Sequence, residues 1–287
     1  MCIRDRGIKR AIQWCRKVFK DELWNCTRVM GDYVLGKIVH LYSTRERAVV
    51  VAMVTAGITI DIATCCREGK LKDCPCVSPP FLRKEGQDEK GSRTVTYGEC
   101  GDNVYKAKER ANQIMGVTSD AETVEDRVDY HNAALGAGLG MRTVEVCRCH
   151  GITGSCNVKT CKMKTGDYEE IAQDMPARYK RASAVTLIDG QLVSVGPADN
   201  QTSDDLVYSC DTPYTCLPNK DLGIPGTSGR ECNPTVTASN SCDRLCCGRG
   251  YYEVTKMVPV EECKFVFCCR FECTVVGHVS ETKYYCR

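Results

Sequence analysis

The sequence is poor in the side chains and motifs that catalytic sites use. Only four histidines are present in 287 residues. There is no G-x-S-x-G nucleophile elbow, no H-E-x-x-H metal motif and no glycine-rich phosphate loop. No catalytic set can be assembled, so we predict that the protein is not an enzyme and keep that class as a distant alternative. The histidines are His40, His131, His150 and His278.

The sequence also lacks an excess of charge of one sign. Its formal net charge is +2 and its pI is about 7.7. No global field would draw the chain to nucleic acid, and we expect no nucleic-acid partner. One local basic run suits heparan sulfate, although interspersed carboxylates make a solvated face an equal alternative. The run comprises Lys159, Lys162, Lys164, Arg178, Lys180 and Arg181.

A long apolar run and a secretion signal are missing as well. The longest apolar stretch, residues 48–60, falls short of the ~20 residues that a membrane span needs, so we expect a buried helix there. Residues 1–10 are charged, with no apolar segment behind them. The opening MCIRDR resembles a translated sequencing adapter. We therefore expect a truncated start and place no argument on Cys2.

Cysteine, in contrast, is abundant, with 23 in the chain. Intracellular proteins rarely carry so many, because reducing thiol pools keep cysteines unpaired. The composition therefore predicts a secreted protein that folds in an oxidising compartment and is cross-linked by disulfide bonds.

Hydrophobic periodicity predicts a mainly helical first half. Apolar residues recur at helical spacing through residues 35–66, where Ser43 or Thr44 can cap a second helix. Further helices are expected over 103–115 and 124–142. Residues 70–100, with their prolines, glycines and charges, predict an exposed loop.

The second half predicts strands and cross-links. Short β-prone runs follow Cys147, and residues 176–205 read as a strand pair followed by a polar connector. From Cys210 onward, 11 of the 23 cysteines occur with little helical periodicity, as in small domains where cross-links replace a core. We predict two domains, 1–203 and 204–287.

The densest cysteine cluster predicts a stapled hairpin. Four cysteines and a histidine lie within residues 147–161. These side chains could bind zinc, but a cysteine-rich secreted chain more often carries disulfides. Nested pairing, Cys149 with Cys156 inside Cys147 with Cys161, would make a rigid hairpin with the histidine and glycines at its tip.

Within this cluster, CRCHGITGSC resembles the Wnt family signature C-[KR]-C-H-G-x-S-G-S-C and departs from it at one position. Other segments resemble the same family: QWCRKVFKDELWNC, TRERAVVVAMVTAG, YHNAALGAG, CDRLCCGRG and CKFVFCCRFEC. The resemblance covers residues 8–287. It implies a disulfide-rich α+β fold, with an α-helical N-terminal domain bearing a projecting hairpin and a small cysteine-rich β-hairpin C-terminal domain.

The resemblance also implies a set of disulfide bonds. Where the family has two further bonded cysteines, this chain has Glu261 and Val276, so one bridge is expected to be absent. Cys65 and Cys210 remain over and could pair across the two domains. The implied pairs are Cys15 with Cys26, Cys66 with Cys74, Cys76 with Cys100, Cys147 with Cys161, Cys149 with Cys156, Cys216 with Cys247, Cys232 with Cys242, Cys246 with Cys286, Cys263 with Cys273, and Cys268 with Cys269.

By resemblance, the protein is expected to be a developmental ligand of the extracellular space or matrix that activates Wnt signalling through Frizzled receptors. In the family, the first hydroxyl of the signature carries a monounsaturated fatty acyl ester; that position is Thr153 here, with Ser155 the only other hydroxyl at the tip. No other cofactor is expected. Because the extra methyl of threonine crowds its oxygen, an unlipidated ligand or decoy is the alternative, and a secreted zinc-binding protein is a distant one.

The resemblance implies that two hairpins grip the cysteine-rich domain of Frizzled, a thumb (147–161) and a finger (263–273). A buried core is the alternative for the FVFCC segment of the finger. A low-density-lipoprotein-receptor-related co-receptor, a membrane-bound acyltransferase and a secretory carrier are further implied partners. Sequons predict glycosylation at Asn25 and Asn200. The expected receptor-binding residues are His150, Gly151, Ile152, Thr153, Gly154, Ser155, Phe265, Val266, Phe267, Cys268 and Cys269.

Overall fold

The structure, a computed structural model, is a disulfide-rich α+β fold, as predicted. It describes residues 3–27, 35–77, 86–87, 94–97, 100–150, 156, 158–195, 204–267 and 270–287. The helices of these ranges are α1 (Ile3–Val18), α2 (Lys37–His40), α3 (Arg45–Arg67), α4 (Val104–Met115), α5 (Val124–Gly140), α6 (Tyr168–Lys180) and α7 (Cys242–Leu245). The strands are β1 (Gly86–Gln87), β2 (Thr94–Tyr97), β3 (Thr143–Cys149), β4 (Val158–Thr165), β5 (Ser183–Ile188), β6 (Gln191–Ser194), β7 (Val207–Tyr208), β8 (Glu231–Cys232), β9 (Tyr251–Val266) and β10 (Arg270–Cys286).

Helix α3 is the centre of the helical body. It buries 18 of its 23 residues, and α1, α4, α5 and α6 pack around it. The helix extends beyond both ends of the apolar stretch at residues 48–60. Within the described part of the chain, it is the one helix that is long and apolar enough to cross a membrane. Its apolar surface is covered by the neighbouring helices, in agreement with the prediction of a buried helix.

The predicted helices are present. Residues 35–66 form α2 and most of α3, and Thr44, one of the two suggested caps, accepts a hydrogen bond from the backbone N–H of Arg47 at 3.4 Å. Helices α4 and α5 begin at Val104 and Val124 and are also capped by the side chain of the preceding residue. Each cap satisfies a backbone N–H that has no partner within the helix.

Three helices, α1, α6 and the short α7, lie outside the prediction. The expected strand pair begins at Ser183 and not at Pro176, which lies inside α6. Proline lacks an N–H and usually interrupts a helix, which conceals α6 in the sequence. The signals that favour α6 are a capping carboxylate at Asp167, acidic residues in its first turn and basic residues in its last.

Helices α3 and α5 cross at very short range. A Cβ atom at Gly136 would lie 2.2 Å from the carbonyl oxygen of Ala52, and one at Gly140 would lie 2.9 Å from that of Ala56. A side chain at either position would overlap the α3 backbone. The glycines of the LGAGLG segment therefore allow α5 to pack directly on the central helix.

Cystines form the core of the C-terminal region. Four half-cystines pack around the buried side chain of Leu245. Cross-links thus take the place of a larger apolar core, as the density of cysteines predicted. The half-cystines are Cys232, Cys242, Cys246 and Cys286.

The CCGRG segment is a tight turn in this region. Gly248 and Gly250 have φ angles of 76° and 80°, in the left-handed region that favours glycine. Between them, the guanidinium of Arg249 donates to the carbonyl oxygens of Cys216 and Arg287, at 3.1 and 2.9 Å. The turn therefore ties the end of the chain to an earlier loop, which gives this motif a physical role.

Polar contacts join the C-terminal region to the helical body. The side chain of Arg230 donates hydrogen bonds of 2.7 to 2.9 Å to three backbone carbonyl oxygens after α1. These belong to Lys20, Glu22 and Leu23. The division of the chain near residue 203 stays a prediction.

Each of the three sheets contains an antiparallel hairpin. In the sheet with order β1-β2-β4-β3, strands β3 and β4 form an antiparallel hairpin. In the sheet with order β8-β10-β9, the last two strands pair along almost their whole length and are exposed on both faces. The third sheet, β6-β5-β7, packs on α5 through Val128, Val185 and Val207. The exposed hairpins are the thumb and finger positions of the sequence analysis.

Candidate functional site

Nine disulfide bonds occur in the described residues, and they join the same cysteines as the family pattern. The tenth implied bond, between Cys268 and Cys269, lies outside the described residues. The observed bonds are Cys15 to Cys26, Cys66 to Cys74, Cys76 to Cys100, Cys147 to Cys161, Cys149 to Cys156, Cys216 to Cys247, Cys232 to Cys242, Cys246 to Cys286 and Cys263 to Cys273.

The thumb is a hairpin closed by two nested disulfides. Cys147 and Cys161 lie directly opposite each other on β3 and β4, and the bond from Cys149 closes the loop beyond them. The exposed ring of His150 is hydrogen-bonded through Nε2 to the hydroxyl of Thr160. A hydrogen bond across the neck of the loop therefore adds to the disulfides.

The remaining candidate residues of the thumb lie outside the described residues. They are Gly151, Ile152, Thr153, Gly154 and Ser155, so the expected acylation position is among them. The structure describes the strands that would present this segment.

Zinc binding by the thumb is contradicted by its disulfides. Zinc requires thiolates, whereas both cysteine pairs of the hairpin are oxidised. Three groupings in the described residues, one of them in the thumb, bring cysteines within ligand distance of one another or of a carboxylate, but every one of these cysteines is bonded in a disulfide.

The finger ends in an exposed aromatic cluster. Phe265 lies directly opposite Phe271, their ring centroids are 5.4 Å apart in an edge-to-face arrangement, and Phe267 is 91% exposed. The alternative that this segment is buried core is therefore wrong for the phenylalanines. Phe271 was not among the predicted site residues, although its position opposite Phe265 across the Cys263 to Cys273 bond could have indicated it.

Val266, the remaining predicted finger residue in the described range, is half-buried. Cys268 and Cys269, at the turn, lie outside the described residues.

Glu261 and Val276, which stand where the family has two bonded cysteines, are neighbours in the β9 and β10 hairpin. Glu261 lies directly opposite Val275, and the register shifts by one residue immediately afterwards. Val276 therefore occupies a β-bulge, where two residues of one strand face one residue of the other. Cysteines at positions 261 and 276 would be adjacent, which explains why both are missing together.

The suggested bond between Cys65 and Cys210 is absent. Both are free thiols, and the backbone N–H of Cys210 donates to the carbonyl oxygen of Ser43, beside the start of α3. Cys65 lies near the end of the same helix. Because an α-helix rises 1.5 Å per residue, roughly 30 Å separates the two positions, so the suggestion is wrong.

The basic run proposed for heparan sulfate does not form one free surface. The cations of its second half, on α6 and at the residue that follows it, are paired with carboxylates at 2.6 to 3.1 Å: Arg178 with Asp174, Lys180 with Glu22 and Arg181 with Asp205. The first half, Lys159, Lys162 and Lys164, lies on β4. Heparan sulfate binding by all six cations together is therefore disfavoured.

Of the two glycosylation positions, Asn25 is half-buried and its side-chain oxygen accepts a hydrogen bond from the hydroxyl of Thr27. Asn200 lies outside the described residues. Glycosylation at both positions stays a prediction.

Comparison with known proteins decides the family. The sequence matches the family model described as the wnt family over residues 2–287. The chain belongs to the Wnt family. It is 33% identical to human Protein Wnt-5a over 281 residues, covering 93% of this chain and 72% of the relative. It is 32% identical to Protein Wnt-5b of Xenopus laevis over 280 residues, covering 93% and 76%.

A solved structure supports the Wnt fold. The structure titled human WLS in complex with WNT8A contains a chain that matches with a TM-score of 0.63 and 25% identity, covering 99% of this chain and 93% of that one. Wnt-family proteins are signalling ligands, and this chain is accordingly a secreted developmental ligand of Wnt signalling, in agreement with its disulfide bonds.

Proposed function

We propose that this Wnt ligand binds the cysteine-rich domain of a Frizzled receptor between its thumb and its finger and so activates signalling. The observation that carries the proposal is the finger tip. Phe265, Phe267 and Phe271 expose 63%, 91% and 70% of their surfaces at the end of an exposed hairpin. Contiguous exposed apolar side chains on a secreted protein indicate a binding surface.

The finger tip is organised before it meets a partner. The Cys263 to Cys273 bond lies immediately below the pair of Phe265 and Phe271. A cross-link at this position limits the conformations of the tip, so less entropy is lost on binding. Aromatic side chains that fill a partner's pockets commonly carry much of the binding energy.

The thumb would supply the second contact through a monounsaturated acyl chain on Thr153. A small stapled loop offers little apolar area, whereas burial of a 16-carbon chain contributes on the order of 10 kcal/mol, at about 0.8 kcal/mol per methylene. The nested disulfides of the thumb would hold the acylated residue at a fixed end of the hairpin. The receptor groove would then bind mainly the acyl chain and only a small part of the protein surface.

Other partners follow from the same proposal. A carrier of the WLS type would bind the ligand during secretion, as WLS binds WNT8A in the matching structure. A membrane-bound acyltransferase would modify Thr153 beforehand. The helical body would contact a low-density-lipoprotein-receptor-related co-receptor on the target cell.

Binding of secreted protein to an immobilised Frizzled cysteine-rich domain tests the proposal. We expect Thr153→Ala to weaken binding roughly a hundredfold or more, because the protein would lose its acyl chain. Phe265→Ala with Phe267→Ala should weaken it roughly tenfold or more. Tyr105→Ala is the matched control, since Tyr105 is an aromatic residue on α4 that is 78% exposed.

Mass spectrometry of the thumb peptide accompanies this test. An acyl mass on Thr153 supports the lipidated ligand. A bare Thr153 together with tight Frizzled binding would favour the unlipidated alternative, for which the threonine in place of serine is the motivating observation. Binding that neither set of substitutions reduces would refute the two-hairpin grip.

A further inference from the structure

Residues 178–181 form a basic motif, Arg-Tyr-Lys-Arg, that the proposed receptor grip does not use. Calcium-dependent serine endoproteases of the secretory pathway recognise arginine, any residue, lysine and arginine in this order, and cut after the last arginine. The pattern occurs once in the 287 residues, and the bond that follows it joins Arg181 to Ala182. Because the chain is secreted, it passes through the compartments in which these proteases act.

The two ends of the motif are buried in the folded chain. Arg178 is 4% exposed, and Ala182, on the far side of the bond, is 8% exposed. Lys180 and Arg181 lie at the surface and form ion pairs with carboxylates of other segments at 3.1 and 2.7 Å. A protease could therefore touch the middle of the motif but could not enclose all of it.

The backbone around this bond is held by hydrogen bonds. Helix α6 ends at Lys180, and the N–H of Arg181 still donates to the carbonyl oxygen of Ala177 at 3.3 Å. Beyond the bond, the N–H of Ser183 donates to the carbonyl oxygen of Leu206 at 2.9 Å. Proteases bind several substrate residues in an extended conformation, so the last turn of α6 would have to unwind first.

The variable position of the motif anchors this last turn. The hydroxyl of Tyr179 donates to the buried carboxylate of Glu46 at 2.6 Å, and its ring packs edge-to-face on the buried ring of Phe19, with centroids 5.5 Å apart. Within α6 itself, Pro176 lacks the N–H that would bond to the preceding turn. The last turn therefore depends on contacts with α3 and with the residue that follows α1.

We propose that residues 178–181 are a cleavage site for these endoproteases, concealed in the native fold and exposed when α6 separates from α1 and α3. Water would hydrolyse the Arg181–Ala182 bond, leaving a carboxylate on Arg181 and an amine on Ala182. Cleavage of a locally opened segment follows the population of the open form. Chains with α6 in place would stay intact, and chains that fail to place it would be cut.

The disulfide bonds would not hold the two products together. Of the nine bonds in the described residues, five lie wholly before residue 181 and four lie wholly after it. The thumb would stay on the first product and the finger on the second. The cut would thus disconnect the two hairpins, and only this consequence rests on the proposed receptor grip.

The test compares the full secreted chain with its Tyr179→Ala variant during digestion by purified furin, one of these proteases. The substitution removes both anchoring contacts and leaves the three recognised cations unchanged. We expect the variant to be cut roughly tenfold or more faster than the parent. Two products should separate on a gel without reducing agent, and the second should begin with ASAVTL, the residues from Ala182 onward.

Two matched variants serve as controls. Tyr179→Ala with Arg181→Lys keeps a positive charge beside Asp205 but removes the arginine that the protease requires, so no cut after residue 181 is expected. Tyr105→Ala removes an exposed tyrosine from α4 and should leave the rate within about twofold of the parent. Hydrogen exchange in α6 measures how far each variant opens.

Digestion of the parent at several temperatures below its melting temperature covers the case in which Tyr179→Ala is not secreted. Each rate is divided by that of the peptide of residues 176–183, which has no fold to protect it. We expect this ratio to be far below one and to rise with temperature as α6 opens. A ratio that stays constant would mean that no local opening exposes the site, and the proposal would be wrong.

Two further results would overturn the proposal. One is a native parent cut as fast as the peptide, because the fold would then not conceal the site. The other is an uncut Tyr179→Ala variant whose α6 is open by hydrogen exchange. Frizzled binding of the uncut parent is measured separately, so failure of the cleavage site would leave the proposed receptor grip untouched, and the reverse also holds.

Discussion

The helical body and the β9 and β10 hairpin are stabilised by opposite means. Helix α3 buries 18 of its 23 residues, whereas almost every residue of the hairpin is exposed or half-buried. The hairpin depends on the Cys263 to Cys273 bond and on cross-strand contacts such as the stacked rings of Tyr252 and Tyr285, 5.8 Å apart. The body uses its apolar side chains for its own stability, while the finger leaves its apolar side chains exposed to a partner.

The largest expected effect comes from adding one methyl group to the body. Gly136→Ala would place a Cβ atom 2.2 Å from the carbonyl oxygen of Ala52, so α5 could not pack on α3. We expect a loss of at least about 3 kcal/mol and little secreted protein. The control is Gly138→Ala, two residues away, where nothing lies within 4 Å of the added atom. Normal secretion and melting temperature of the Gly136 variant would contradict the close crossing.

Removal of one cystine should break the C-terminal region and spare the body. Cys246→Ala with Cys286→Ala deletes a bond within the small buried cluster around Leu245. We expect a local loss of about 2 to 5 kcal/mol. Limited proteolysis should cut the chain beyond residue 204 and leave a protected helical fragment. The matched variant, Cys263→Ala with Cys273→Ala, should expose only the finger tip; unfolding of the body in either case would contradict the division of roles.

A disulfide bond introduced between positions 261 and 276 should stabilise the β9 and β10 hairpin by cross-linking, as the other disulfides stabilise the rest of the C-terminal region. Glu261→Cys with Val276→Cys places two thiols next to each other at the bulge. We expect them to oxidise and to stabilise the hairpin by about 2 to 3 kcal/mol. Loss of two hydrogens by mass and slower proteolysis of the finger would measure this. Glu262→Cys with Val276→Cys is the control, because Glu262 lies opposite Thr274 on the other face and its thiol should stay free.

The smallest effect concerns a buried carboxylate in the body. The guanidinium of Arg10 forms an ion pair with Oδ1 of Asp61 at 2.8 Å. The other carboxylate oxygen, Oδ2, is buried and has no hydrogen-bond partner in the described structure. Burial raises the pKa of Asp61 above its ordinary value of 3.8, and the charge of Arg10 opposes this only in part. The folded state therefore binds a proton more tightly than the unfolded state. Stability falls as the pH rises from 3.8 through the raised pKa, and the penalty persists at neutral pH.

Asp61→Asn removes this penalty. We expect its melting temperature to exceed that of the parent by about 1 to 3 °C at neutral pH, and the difference to shrink as the pH falls toward the ordinary pKa of aspartate. Thermal unfolding at a series of pH values measures both. A lower melting temperature of the variant at neutral pH would mean that the ion pair with Arg10 outweighs the cost of burial.

Sequence reasoning succeeded where a pattern has one physical solution. The long apolar stretch required a buried helix, and the cysteine spacings of a familiar family led to the nine observed pairs. It failed at α6, because Pro176 normally signals a break, although the caps and other contacts of this helix compensate for one lost hydrogen bond.

Contacts between segments that are distant in the chain could not be predicted from the sequence. Nothing local showed that Cys65 and Cys210 lie at opposite ends of α3, or that Phe271 shares a face with Phe265. Both facts depend on how segments distant in the chain meet.

The burial of α3 has a consequence for how the protein is made. Helices α4, α5 and α6, which cover most of α3, all follow it along the chain, and more than a hundred residues separate the ends of α3 and α6. At typical rates of synthesis, on the order of 10 s passes before the last of these helices emerges. During that interval α3, whose length and composition would suit a membrane span, lacks most of the helices that cover it in the folded protein. A partly synthesised chain with so apolar a helix exposed is expected to be prone to aggregation until α6 has docked.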